Sequence, residues 1–73
     1  MNKALLKSKM VLHGDTNQTL SEHLGITPVT FSRKLNEIDG AEFSQRELLA
    51  IKNRYSLTDE EFVLIFFNDD VSN

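Results

Sequence analysis

Cysteine is absent from the sequence, and proline occurs once, at Pro28. Without cysteine there are no disulfide staples and no thiolate metal sites, so stability must come from packing or from association, which suits a reducing compartment. No apolar run approaches the roughly 18 residues of a membrane span, and the first 14 residues lack the long apolar core of a secretory signal. A cytoplasmic protein with no membrane contact is therefore expected. The three glycines do not form a loop that would cradle a phosphate. Internal repeats and low-complexity stretches are missing as well, and no segment reads as a strand.

What is present is ordinary for a globular protein: 73 residues, 40% hydrophobic and 26% charged, which sets aside disordered and collagen-like classes. One domain spanning 1–73 is expected. A chain of this size buries only about 60 to 65% of the surface its unfolded form exposes, which leaves no room for a separate sensory or catalytic domain.

The net charge of −3 looks wrong for a nucleic-acid binder until the chain is divided. Residues 1–36 carry Lys3, Lys7, Lys9, Arg33 and Lys34 against Asp15 and Glu22, a balance of +3. Residues 37–73 carry Arg46, Lys52 and Arg54 against nine acids, a balance of −6. Such a split is expected where the first half faces a polyanion and the second does not; chance distribution of surface charge is the alternative.

Local signals predict five helices. The first runs from about Lys3 to Leu12, with Leu6 and Met10 on one face, and stops at Gly14, leaving Asp15 in the turn. The second starts with Thr16 as N-cap, carries Leu20 and Leu24, and ends at Gly25, with Ile26 as a buried plug. Thr27 then caps a third helix whose first residue is Pro28, where a missing N–H is harmless and the fixed φ is already helical. Phe31 and Leu35 form its inward face. Phe43-Ser44-Gln45-Arg46-Glu47-Leu48 combines a capping box with flanking apolar residues, and Leu57-Thr58-Asp59-Glu60-Glu61-Phe62 repeats the device. They open a fourth helix to about Arg54, with Leu48, Ile51 and Tyr55 inward, and a fifth over about 58–68.

The segment from Leu20 to Asn36 has the plan of a helix-turn-helix, about 16–36 in all: a bracing helix, a tight turn with a glycine, and a second helix with a free outer face. Small Ser21 sits where the two helices approach, Gly25 makes the turn, and Leu20, Leu24, Ile26, Phe31 and Leu35 hold the unit together. With Phe31 at the centre of the buried face, a step of about 100° per residue puts Val29, Arg33 and Asn36 outward, flanked by Thr30 and Ser32. Arg33 can pair bidentately with guanine, Thr30 and Ser32 can bond base edges or phosphate, and Val29 can pack on a thymine methyl. Asn17 and Gln18, at the positive end of the second helix, are candidates for phosphate, and Lys34 can reach the backbone too. A merely solvated helix face is the alternative reading of Arg33 and Lys34. Aromatic side chains do not interleave with the basic ones, which argues against a single-strand stacking platform.

These residues resemble the helix-turn-helix of the lambda-repressor-like (Cro/C1-type, XRE) family of regulators. Leu20-Ser21, Leu24-Gly25-Ile26-Thr27, and Thr30-Phe31-Ser32-Arg33 with Asn36 match the family pattern, in two departures from which Asn17 stands where many members have a phosphate-contacting Gln and Glu37 follows Asn36 where Gly is usual. The stretch from Glu42-Phe43-Ser44 through Ile65-Phe66-Phe67 also resembles the fourth and fifth helices of short regulators encoded by phages and prophages of Gram-positive bacteria, so the resemblance covers nearly the whole chain. It implies an all-α, five-helix lambda-repressor-like domain and a transcriptional regulator acting by operator occupancy. The implied partner is double-stranded DNA, with no cofactor and no small-molecule ligand. The expected DNA-binding set is Asn17, Gln18, Thr27, Pro28, Val29, Thr30, Ser32, Arg33, Lys34 and Asn36. Family members often read a base from the position of Pro28, which here offers only apolar contact.

Catalysis is not expected. His13 near Asp15 has no third partner for nucleophilic chemistry, and His23 lies on the polar face of its helix. Asp59-Glu60-Glu61 is read as charge complementing a helix dipole rather than as a metal site, and Asp69-Asp70 as a solvated tail.

Phe62-Val63-Leu64-Ile65-Phe66-Phe67 is six apolar residues in helical context, too many for one small core. Val63, Leu64, Phe66 and Phe67 are therefore expected at a partner interface, by default that of a homodimer reading two half-sites. The alternative is a deeply packed helix with only Val63 or Leu64 exposed. A different function also fits the acidic second half, the Pro28-Val29 opening and the apolar end: an antirepressor that binds a repressor protein through Val29, Thr30 and Arg33. Affinity for duplex DNA alone separates the two.

Overall fold

The structure is a computed structural model that describes residues 1–67. Its elements are α1 (Lys3–Leu12), α2 (Asn17–Leu24), α3 (Pro28–Leu35), a 3-10 turn (Ile38–Gly40), α4 (Gln45–Arg54) and α5 (Asp59–Phe66), and there is no strand among the described residues. The all-helical class and the five helices agree with the local signals. Residue 68, the expected end of the last helix, and Asp69-Asp70 lie outside the described residues.

Each helix starts where a side chain replaces the missing backbone acceptor. Asn2 accepts the Leu5 N–H at 3.0 Å, and Thr27 accepts that of Thr30 at 3.1 Å with Pro28 in the first turn. The boxes at Ser44/Glu47 and Thr58/Glu61 are both closed reciprocally, at 3.2 and 2.8 Å and at 3.1 and 2.9 Å. A third box, Thr16 with Thr19, was not foreseen, because a threonine replaces the usual Glu or Gln as the returning acceptor. Gly25 ends α2 in the left-handed conformation, φ +76°, and turns the chain into α3 within three residues.

One core joins all five helices: Leu6 and Met10 from α1, Leu20 and Leu24 from α2, Phe31 and Leu35 from α3, Ile51 from α4 and Ile65 from α5, with Phe43, Tyr55 and Leu57 from the connections. Ser21 is fully buried, and its hydroxyl donates to the Gln18 carbonyl at 2.8 Å, so no unsatisfied polar atom accompanies it into the interior. Ile26 and Leu48 are half-buried against this core rather than sealed within it. The start of the chain meets α5: the Asn2 N–H donates to the Ile65 carbonyl at 2.6 Å, and Lys9 pairs with Glu61 at 2.8 Å, which lays α1 along α5. No helix among the described residues is long and apolar enough to cross a membrane.

Candidate nucleic-acid interface

The α2–α3 unit is held from below by Leu20, Ser21, Leu24, Phe31 and Leu35, all buried. The opposite side of α3 is consequently left to solvent. Pro28, Val29, Arg33 and Asn36 are exposed, and Thr30 and Ser32 half-buried beside them. Val29 is 70% exposed, too high for a side chain with an intramolecular role.

The polar atoms on this side differ in how far they are committed. The Thr27 hydroxyl caps the helix and donates to the Thr30 hydroxyl at 3.0 Å, so Thr30 keeps its own proton to donate. Asn36 donates to the Ser32 carbonyl at 2.9 Å and accepts from Lys3 Nζ at 2.7 Å. Arg33, half exposed, has a loose contact with Asp39 at 3.4 Å, itself an exposed residue. At the start of α2, Asn17 is exposed without a partner among the described residues, and Gln18 reaches Glu22 at 3.3 Å.

Lys34 is placed elsewhere. Its ammonium lies 2.8 and 3.0 Å from the two oxygens of Glu47, and only about a fifth of its side chain is exposed. Burial alone would push the Glu47 carboxyl up, but hydrogen bonds from Lys34 and the Ser44 N–H outweigh it and hold the group below its ordinary value. Lys34 thus serves as the counter-ion of a buried acid, at the joint between α3 and α4.

Helix-end charge also distinguishes the elements. The first turns of α2 and α3 contain no acid, whereas α4 has Glu47 and α5 has Asp59, Glu60 and Glu61. Asp15, just before α2, already sets its carboxylate on Thr19 in the first turn of that helix, so of these two ends it is the positive end of α3 that is left without an acid and favours an external anion. The C-terminal side of α3 is different. Glu37, Asp39 and Glu42 follow it, all exposed, and Glu37 and Asp39 hold left-handed backbone at φ +55° and +54°. Glu37 occupies the place where the resemblance leads one to expect glycine, in a conformation that favours glycine.

One cluster escaped the sequence reading. Asp15, assigned only to a turn, accepts from Arg54 Nε and Nη2 at 2.7 and 2.8 Å, from the Tyr55 hydroxyl at 2.6 Å and from Thr19 at 2.7 Å. Hydrogen bonds from Arg54, then Tyr55 and Thr19, hold its carboxyl well below the usual carboxylate range despite the opposing effect of burial. The His13 ring stacks on Tyr55 with centroids 4.8 Å apart, which makes it part of the same brace. His23 is exposed. Asp59 and Glu61 are taken up by Lys52 and Lys9 at the start of α5.

Of the four residues expected at a partner interface, Val63, Leu64 and Phe67 are exposed, by 51, 40 and 63%. Phe66 turns inward instead, against Phe43 at 6.3 Å and Phe62 at 5.3 Å between ring centroids. An open groove of about 90 Å³ lies beside it, lined in part by Phe43, Leu48, Phe66 and Phe67. Comparison of the chain with protein-family models, with curated proteins and with solved structures finds no significant match.

Proposed function

We propose that this protein is a sequence-specific regulator that binds double-stranded DNA through the outer face of α3, in the manner of the lambda-repressor-like family that its sequence resembles. The observation that carries the reading is the state of α3: a firmly capped helix, with no acid in its first turn, whose inner face is locked in the core while Val29, Thr30 and Arg33 are presented outward. That arrangement suits insertion into a major groove, with Arg33 and Val29 toward base edges and the α2 N-terminus, Asn17 and Gln18, toward phosphate. The protein acts by occupying an operator, as a homodimer joined through Val63, Leu64 and Phe67. No cofactor and no chemistry are part of this proposal.

A second reading is favoured by the other end of the same helix. Asp39 lies against Arg33, Glu37 and Glu42 are exposed in the same connection after α3, and Lys34 is withdrawn onto Glu47. An acidic rim repels phosphate and suits a protein partner, as in an antirepressor that covers the DNA-contacting face of a repressor.

Selection of bound duplexes from a random DNA library by the purified, folded protein at moderate salt decides between them. An enriched inverted repeat supports the dimeric DNA regulator. No enrichment removes that reading in favour of a protein partner.

A further inference from the structure

Half of the chain's eight lysines and arginines are consumed within the fold: Lys9, Lys34, Lys52 and Arg54 lie between 2.5 and 2.8 Å from Glu61, Glu47, Asp59 and Asp15. Arg33 has its loose contact with Asp39. Lys3, Lys7 and Arg46 have no carboxylate within ion-pair range among the described residues. Two of these three, Lys3 and Lys7, are four residues apart on α1, on one face and both exposed.

Lys3 is tied to α3. Its ammonium donates to Asn36 Oδ1 at 2.7 Å, and the amide of Asn36 is fixed in turn by its bond to the Ser32 carbonyl at 2.9 Å. The acceptor is neutral, so the positive charge is positioned without being cancelled, and two ammonium protons remain to be donated. The nearest acid in sequence to Asn36 is Glu37, which lies 3.5 Å from the α-ammonium of Met1. Lys3 thereby sets the basic face of α1, which it shares with Lys7, against the end of α3, three residues beyond Arg33. Like charges at this helical spacing repel, a small cost that the isolated domain does not recover. A phosphate backbone turns the same charges into affinity through release of its counterions.

We propose that Lys3 and Lys7 bind the phosphate backbone of the duplex whose groove α3 reads, as a second contact strip on α1; this rests on the DNA-binding reading above. The contacts carry no sequence information, so they set affinity and salt dependence and leave preference to α3.

The test is fluorescence anisotropy of the full chain with two labelled duplexes, one selected and one unrelated, over a series of KCl concentrations. The double variant Lys3→Gln/Lys7→Gln is expected to lower the slope of log K against log salt by about 1.8 on both duplexes and leave their affinity ratio unchanged. Lys52→Gln, which removes a charge on the α4–α5 side, should leave the slope alone. Lys3→Arg/Lys7→Arg should restore it, and circular dichroism checks that each variant is folded. A double variant with the original slope, or a Lys52 variant with a comparable loss, overturns the assignment while the DNA-binding reading stands. A wild-type protein that binds neither duplex overturns both.

Discussion

Asp15 and Arg54 are 39 residues apart in the chain and form a two-point ion pair, Nε and Nη2 of the arginine on the two carboxylate oxygens at 2.7 and 2.8 Å. Tyr55 adds its hydroxyl at 2.6 Å. The cluster fixes the α1–α2 turn to the end of α4, and with it the attitude of α2 on the core. Asp15→Asn keeps the shape and removes the charge, so it is expected to destabilise the fold by about 1–3 kcal/mol in urea denaturation. An unchanged midpoint would make the pair ornamental.

The same cluster sets a pH dependence. Asp15 and Glu47 are both held below their ordinary values, so each contributes stability that is present above its unfolded pKa, about 4. That contribution is lost as pH falls through the acid range toward the folded values. Tyr55 behaves oppositely: burial, then the neighbouring Asp15, raises its pKa, so its contribution is complete below its unfolded value of about 10 and is lost progressively as pH rises from there toward the folded value. Urea midpoints measured from pH 3 to 11 should show a neutral plateau with two falling limbs. Asp15→Asn should flatten the acid limb, and Tyr55→Phe the alkaline one.

Lys34 tests the division between structural cations and those proposed to face DNA. Because its partner Glu47 is buried, Lys34→Met should leave a desolvated carboxylate and lower stability by several kcal/mol, with the double variant Lys34→Met/Glu47→Leu recovering much of the loss. A Lys34→Met protein that melts like wild type but has lost DNA affinity would return Lys34 to the phosphate-contacting set.

What could be read from sequence was whatever acts within about one helical turn. Ser44 with Glu47, Thr58 with Glu61, and Thr27 before Pro28 are separated by at most three residues, and each marks a helix start as observed. The outer face of α3 followed from periodicity around Phe31. Contacts across the fold left no such trace. Nothing local to Lys34 announces Glu47, 13 positions on, and nothing near Asp15 announces Arg54. Six consecutive apolar residues, from Phe62 in α5 to Phe67 at its C-cap, showed that some had to be exposed. That Phe66 turns inward while Phe67 does not depends on where Phe43 lies, which is a tertiary fact. The left-handed residues Glu37 and Asp39 were hidden because neither is glycine.

Phe31 has no exposed surface and joins the underside of α3 to Phe43, with ring centroids 5.6 Å apart. Truncation to alanine should cost about 3–5 kcal/mol, comparable to the whole stability of many small domains. Circular dichroism at 25 °C should show Phe31→Ala largely unfolded; a native melting curve would refute its place at the centre of the core.

Arg33 and Asn17 are assigned different work. Arg33 presents its guanidinium from the exposed side of α3, whereas Asn17 stands at the first turn of α2. Arg33→Ala should therefore reduce the preference for a selected duplex over an unrelated one, at a cost of about 1–3 kcal/mol on the selected site. Asn17→Ala should weaken binding to both duplexes similarly. Equal loss of preference in the two variants would undo the division.

The exposed apolar residues of α5 bear on assembly. Val63, Leu64 and Phe67 together leave an apolar surface on one side of a helix whose other side, through Ile65 and Phe66, is already used by the core. Such a surface gains stability only by leaving water, and a second copy offers the same patch in a two-fold arrangement. An aspartate placed at the centre of that contact would have to be desolvated without a partner, whereas in the monomer it would remain in water at a position already 63% exposed. Phe67→Asp gives up the ring contact with Phe62 at 5.7 Å and puts an acid at the end of α5, so it should keep the helical fold at a cost of about 1–2 kcal/mol to the monomer, while sedimentation equilibrium shows the dimer lost. Its affinity for a two-half-site duplex should fall toward that for a single half-site. A wild-type protein that stays monomeric across the concentrations at which it occupies DNA would remove the homodimer, and with it the expectation of an inverted repeat.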